Sequence, residues 1–130
     1  MNRLDYPPEC RLRLPRDYER VYAAKHRFSD ARLLVYAAVN TQGIVRAGFS
    51  VSKKHGGSVV RHRLKRLLRE AFRLLRPELR SGLDLVVIPQ AGTIATMQEY
   101  QWSLERLARK AGRRLLAVEE ASSPPPDAHA

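Results

Sequence analysis

Apolar residues along this chain follow two spacings, and the switch between them predicts its elements. Tyr18, Val21 and Tyr22 recur three and four residues apart behind Pro15. This predicts a short helix from about Arg16 to Lys25, with the proline at the first helical position. A short extended piece is expected around Arg27 to Ser29. Ala31 to Asn40 (ARLLVYAAVN) is apolar and β-compatible, and Ile44 to Ser52 alternates with Val45, Ala47, Phe49 and Val51 on one side. The turn residues Thr41-Gln42-Gly43 between these two runs predict a hairpin. Helical spacing returns with Val60, Leu64, Leu67, Leu68, Ala71 and Leu75, so a second helix is expected over about Ser58 to Leu75, stopped by Pro77. Gly56-Gly57-Ser58 ahead of it supplies a turn and an expected N-cap, with free backbone N–H groups as an anion site. Leu83 to Ile88 (LDLVVI) reads as a buried strand ending at Pro89. Thr96-x-x-Glu99 has the form of a capping box opening a third helix, with Met97, Tyr100, Leu104, Leu107, Ala108 and Ala111 as its apolar stripe. Gly112 is the expected C-cap.

The resulting order, α-β-β-β-α-β-α, predicts an α/β (α+β) two-layer sandwich of three helices on a small, mostly antiparallel or mixed four-stranded sheet. Its strand–helix–strand unit from Ile44 to Ile88 would by chain chirality alone cross over right-handed, as about 98% do. Residues 15–118 are expected to form a single domain, behind a polar, proline-containing leader at 1–14. The composition of EEASSPPPDAHA cannot bury apolar surface, so 119–130 is expected to be a disordered tail.

Charge narrows the partners. Twenty-four Lys and Arg against 13 Asp and Glu leave a formal net charge of +11 on 130 residues, with a pI near 10.7. That balance suits nucleic acid or an anionic membrane. No apolar run approaches the roughly 20 residues a spanning helix needs, and Met1 to Pro15 has no apolar segment of signal-peptide type. Cys10 is the only cysteine, so neither an internal disulfide nor a cysteine zinc site is expected. The chain reads as cytoplasmic and metal-independent in its fold.

The charge is concentrated in KKHGGSVVRHRLKRLLREAFR, residues 53–73. Lys53, Lys54, Arg61, Arg63, Lys65, Arg66, Arg69 and Arg73 stand there against Glu70 alone, a net +7 of the chain's +11. A solvated helix face usually mixes its signs, whereas one dominant sign is the footprint of a polyanion partner. His62, Arg66, Arg69 and Arg73 follow i, i+4, i+7, i+11, opposite the aliphatic stripe, and Arg61, Arg63 and Lys65 flank them. Arginine suits the task because its planar fork pairs bidentately with phosphate.

The segment GFSVSKKHGGSVVRHRLKRLLREAF, from Gly48 to Phe72, resembles the signature of the bacterial ribonuclease P protein component. In that family a Ser-Val-Ser-Lys-Lys strand end leads into an Arg-Asn-Arg helix continuing Lys-Arg-x-x-Arg-Glu. DYERVYAAKHRF, LLVYAAV and DLVVIPQAG are similar to the family's first helix, following strand and last strand, so the resemblance spans roughly Arg11 to Gly112. It implies a subunit that binds a catalytic RNA and helps remove the 5′ leader of precursor tRNA, with Mg²⁺ held mainly by the RNA. It also implies a left-handed crossover around the basic helix, against the default from chirality. Carried over by residue, Lys53, Lys54, Arg61, His62, Arg63, Lys65, Arg66, Arg69 and Arg73 are expected on the catalytic RNA. Tyr18, Tyr22 and Tyr36 are expected to line a cleft for the single-stranded leader, where flat rings stack on bases without reading sequence. Read without the resemblance, the three tyrosines could equally be partly buried core, although phenol oxygens favour an edge. His62 replaces the family asparagine, exchanging an amide for an imidazole that becomes a double donor when protonated.

No catalytic constellation is visible. His26 and His55 are expected in polar loops, His129 falls in the tail, and His62 sits within the arginine row. No acids are spaced for a two-metal site. Asp84 stands alone at the head of its strand, while Asp17, Glu19 and Glu70 read as helix-end and ion-pair partners. The expected partners are ribonuclease P RNA and precursor tRNA, with no membrane, no protein-held metal and no stable homo-oligomer. A structural RNA-binding protein of ribosomal type would account for the charge equally well, but would not require the tyrosine cleft. A DNA-binding module is disfavoured by the lack of a helix-turn-helix pair.

Overall fold

A computed structural model of the chain describes residues 6–121, with side chains as far as Leu116. In chain order the elements are α1 (Pro15–Ala23), β1 (His26–Ser29), β2 (Leu33–Val39), β3 (Arg46–Phe49), α2 (Ser58–Leu75), β4 (Leu83–Pro89) and α3 (Met97–Ala121). The strands form one mixed sheet in the order β1-β2-β4-β3. β1 and β2 pair antiparallel from His26 opposite Ala37 to Ser29 opposite Leu34, β2 and β4 pair antiparallel, and β3 runs parallel to β4. The α+β architecture expected from the sequence is thus present, with α2 connecting two parallel neighbours.

The expected hairpin between the second and third strands is not formed, because β4 lies between them. Leu83, Leu85, Val86 and Val87 are all buried, so this strand needs cover on both faces and both edges, and only the centre of the sheet supplies it. The loop between β2 and β3 is instead stitched to the entry of β4. Asn40 N–H donates to Gly82 O at 2.8 Å, and Gly82 N–H donates to Ile44 O at 3.0 Å. Gly82 occupies φ +100°, a conformation that favours glycine.

Alternation along the strands separates two apolar clusters. On the near face Leu33, Val35 and Ala37 of β2, Ala47 and Phe49 of β3, and Leu83, Leu85 and Val87 of β4 pack against α2 and α3. These layers are the sandwich. On the far face α1 adds a smaller cluster, in which Val21 meets Leu12, Ala38 and Val86. Helix α2 is anchored mainly by its C-terminal half: Leu68, Ala71, Phe72 and Leu75 are buried, Leu64 and Leu67 pack partly against the core, and Val59 and Val60 are exposed. Val60, expected on the buried stripe, is therefore corrected, and Phe72 takes up that burial. Three large buried side chains contribute about 1.5–3 kcal/mol each to holding the helix while its first turn stays exposed.

Two helix ends differ from expectation. The N-cap of α2 is Gly57, with Ser58 as the first helical residue and no side-chain cap. Helix α3 opens with the expected capping box, Glu99 N–H donating to Thr96 Oγ1 at 3.1 Å and Thr96 N–H to Glu99 Oε1 at 2.9 Å. It does not end at Gly112 but continues to Ala121, because Leu115 and Leu116 still bury against the core. The helix thus runs into the segment expected as a tail, and residues 122–130 lie outside the described residues. At the other end, the later part of the expected leader is packed: Cys10 and Leu12 are buried, and Arg11 bridges to Ala47 on the outer edge of β3. The first five residues of that leader lie outside the described residues. No described helix is long and apolar enough to cross a membrane.

Candidate nucleic-acid interface

The turn entering α2 is built by a histidine. Ser52 N–H donates to His55 Nδ1 at 3.0 Å, which leaves Nε2–H to donate to Pro89 O at 2.6 Å. The ring ties the tight turn Lys53–His55 to the end of β4, with Lys53 and Lys54 exposed on it. The sequence places His55 only in a polar loop, since its partner Pro89 is 34 residues away. Gly56 then takes φ +136°, and a Cβ there would stand 2.9 Å from a methyl of Val60, so the chain reverses only with glycine. Neither an acid nor a side-chain cap occupies the first turn of α2, whose free N–H groups add to the positive end of the helix dipole.

Along α2, His62, Arg63, Arg66 and Arg69 are exposed, while Arg61 and Lys65 are half-buried. Arg61 Nε is enclosed without a hydrogen-bond partner among the described residues. Arg73 turns to its own helix, donating from Nε to Glu70 Oε2 at 3.0 Å. That bond, working against partial burial, holds the Glu70 carboxyl below the usual range. Arg73 therefore differs from the other expected contacts in being engaged within the protein.

The three tyrosines do share one face, the far one. Tyr22 is exposed on α1, and its ring meets that of Tyr36 on β2 edge-on at 4.9 Å. The Arg27 guanidinium lies 5.7 Å from the Tyr36 ring centroid. Tyr18, one turn before Tyr22, is half-buried and donates to Leu12 O at 3.2 Å. Burial raises its pKa. It lies so close to β3 that a Cβ at Gly48 would stand 2.3 Å from its hydroxyl oxygen.

The tyrosine face and the basic helix meet at β3. This is the edge strand, and a cleft of about 340 Å³ opens beside it. Tyr18 and Gly48 line it from the far side, Lys65 and Arg69 from α2, and Arg11 and Arg13 from the N-terminal segment. Tyr6 forms its floor. Its ring packs on Phe72 at 5.4 Å and Phe49 at 6.1 Å, with the Arg11 guanidinium 4.9 Å from its centroid. Its hydroxyl donates to Ala47 O at 2.7 Å, and burial pushes its pKa well up. Arg11, Arg13, Arg27 and Tyr6 are the residues that sequence reasoning missed. Each stands outside a periodic run, so the only available signal was charge or aromaticity in a segment read as leader or short strand.

Beneath α1 lies an enclosed acid. Asp84, expected to stand alone, is embraced by Arg46 from Nε at 2.8 Å and Nη2 at 2.7 Å, Asn40 donates to it at 2.7 Å, and Arg20 of α1 completes the cage. Arg46 and Asp84 are register partners in the parallel β3–β4 pair. Burial alone would raise the Asp84 pKa. Hydrogen bonds from Arg46 and Asn40, with the charges of Arg46 and Arg20, outweigh it and hold the carboxyl below its ordinary value. The cage pins α1, and with it Tyr18 and Tyr22, across the sheet.

An α+β sandwich with a cationic helix on one side and aromatic rings on the other has two connected surfaces of the chemistry that suits a nucleic acid. Comparison with known proteins agrees. The model of the ribonuclease P family matches residues 6–112. The chain is 39% identical over 119 residues to the ribonuclease P protein component of Roseiflexus castenholzii, covering 90% of this chain and 94% of the relative. It is 41% identical over 105 residues to that of Caldanaerobacter subterraneus, covering 77% and 87%. Among solved structures, the RNase P protein of Staphylococcus aureus superposes with a TM-score of 0.69 at 31% identity, covering 78% of this chain and 94% of that one. That of Thermotoga maritima gives 0.71 at 28% identity, covering 77% and 96%. The chain belongs to the ribonuclease P family of protein components.

Proposed function

We propose that this protein acts in the cytoplasm as the protein subunit of ribonuclease P, assisting endonucleolytic removal of the 5′ leader from precursor tRNA. In this reading Lys53, Lys54, Arg61, His62, Arg63, Lys65, Arg66 and Arg69 face the catalytic RNA, with Arg73 at the margin. Tyr36 and Tyr22 stack on unpaired leader bases, which Tyr18 and the cleft lead toward the basic helix. The observation that carries the reading is this junction: a row of rings on one face runs into a cation-lined cleft at the strand edge. A binder of the RNA subunit alone would need no such continuity. Holding two polyanions side by side needs a positive surface between them, and the cleft has Arg11, Arg13, Lys65 and Arg69 at that place.

The chemistry is assigned to the RNA. Among the described residues no three His, Cys, Asp or Glu side chains converge as a metal site, and Asp84 is closed off by guanidinium groups. Mg²⁺ enters this reading as an ion on RNA phosphates. The protein's own share is binding, alignment and charge screening.

The test is cleavage of precursor tRNA at low Mg²⁺ by a bacterial ribonuclease P RNA, with and without the protein, and by the protein alone. Stimulation only when both are present, with the new 5′ end at the mature terminus, is expected. Tight RNA binding without stimulation would turn the assignment to a structural RNA-binding protein. Cleavage by the protein alone would overturn the assignment of the chemistry to RNA.

A further inference from the structure

The last helix repeats the spacing of the basic one. On α2 the row is His62, Arg66, Arg69 and Arg73; on α3 Trp102, Arg106, Arg109 and Arg113 obey the same i, i+4, i+7, i+11 rule. They stand opposite the buried Tyr100, Leu104, Leu107 and Ala111 and so point away from the core. Trp102 is the chain's single tryptophan, and it is 52% exposed. The Arg106 guanidinium lies 4.5 Å and that of Arg32 5.5 Å from its ring centroid.

Arg106 also lines a hollow of about 230 Å³, together with Ser29, Leu107, Arg109, Lys110 and Arg113. Three acids touch this patch: Glu105 accepts from Arg109 at 2.9 Å, Glu99 lies 3.4 Å from Arg32, and Asp30 lies 3.9 Å from Arg106. Lys110 and Arg113 have no carboxylate partner among the described residues, so the hollow keeps a positive excess. A flat, half-open ring joined through Arg106 to a hollow with four cations on its wall fits one ligand chemistry, a base joined to phosphates.

We propose that this face of α3 is a second contact for the ribonuclease P RNA: an unpaired base stacks on Trp102 while adjoining phosphates occupy the hollow. The inference rests on the RNA-subunit reading above and extends it to a second helix. The catalytic RNA is the source, rather than the leader, because α3 lies with α2 on the near face of the sheet, its hollow opening at the β1 edge beside Ser29. The tyrosine row lies on the far face, with α1.

The single tryptophan provides the readout. The full-length protein is titrated with ribonuclease P RNA and, separately, with precursor tRNA, following indole emission. Quenching by the catalytic RNA at the concentration where assembly occurs is expected, and unchanged in Tyr22→Ala. Trp102→Ala should weaken assembly roughly 5- to 100-fold, Trp102→Phe should restore most of it, and leader binding should be unaffected. Lys110→Gln with Arg113→Gln should lower the salt slope by about 0.7–0.9 for each phosphate left unpaired. Emission unmoved while assembly stays tight would overturn the inference and leave the proposed function standing. Quenching by precursor tRNA alone would also overturn it, and failure of the protein to bind the catalytic RNA at all would overturn both readings.

Discussion

At Asp84 a single carboxylate fixes where α1 and its tyrosines, Tyr18 and Tyr22, stand. Its side chain is fully enclosed, and Arg46, Arg20 and Asn40 reach it from three different elements or loops. Removing one partner of a buried pair costs about 3–5 kcal/mol, because the others are left uncompensated. Asp84→Asn is therefore expected to lower unfolding free energy by about that amount in denaturant titrations. The folded-state pKa lies below the ordinary 3.8, so the contribution is complete above that pH. It is lost as the pH falls through the folded value. Denaturant midpoints of the native protein should accordingly drop below pH 3.8, and those of Asp84→Asn should drop less. Gly48 is a second such position. Any side chain there collides with Tyr18, so Gly48→Ala should cost about 1–3 kcal/mol and displace α1, read out as lower stability and weakened leader binding together. Tyr22→Ala separates those two effects. Its ring is exposed, so stability and RNA-subunit assembly should hold, while leader affinity falls by about 1–3 kcal/mol in direct binding assays. Loss of both would mean a packing role.

Among the elements, α2 shows how much of an interface periodicity can reveal. The row of His62, Arg66 and Arg69 is exposed as its spacing predicts, since the opposite side carries Leu68, Ala71 and Leu75 into the core. Arg66→Glu reverses a charge in the middle of that row and is expected to impair assembly with the catalytic RNA while leaving the fold intact. Normal assembly in gel-shift titrations would take this face out of the interface. Affinity of the native protein should fall with salt with a log–log slope of about 0.7–0.9 per phosphate contact. Periodicity failed at the ends of helices. It could not tell that Val60 stays exposed, because nothing in the spacing says where the partner surface stops. Nor could it tell that α3 passes through Gly112, which costs about 1 kcal/mol against alanine and is outweighed by burying Leu115 and Leu116.

For the molecule as a whole, element types and their order were legible because each rests on local physics: spacing of apolar residues, a proline at a helix start, a capping box, a turn glycine. The basic stripe was legible for the same reason, being a property of one helix. Strand order was not. The run from Ala31 to Ser52 satisfies a hairpin locally, and only competition for the central place in the sheet, won by Leu83–Pro89, separates its two strands. The cage around Asp84 was equally hidden, since its partners Arg20, Asn40 and Arg46 lie 38 or more residues away in sequence and meet it only across the sheet. By itself the sequence determined which surfaces this protein owns: a cationic helix, a set of rings, and an aliphatic interior to carry them. The tertiary structure alone decided that those surfaces join at the β3 edge, because that junction depends on long-range strand pairing and one buried charge, and neither leaves a periodic trace along the chain.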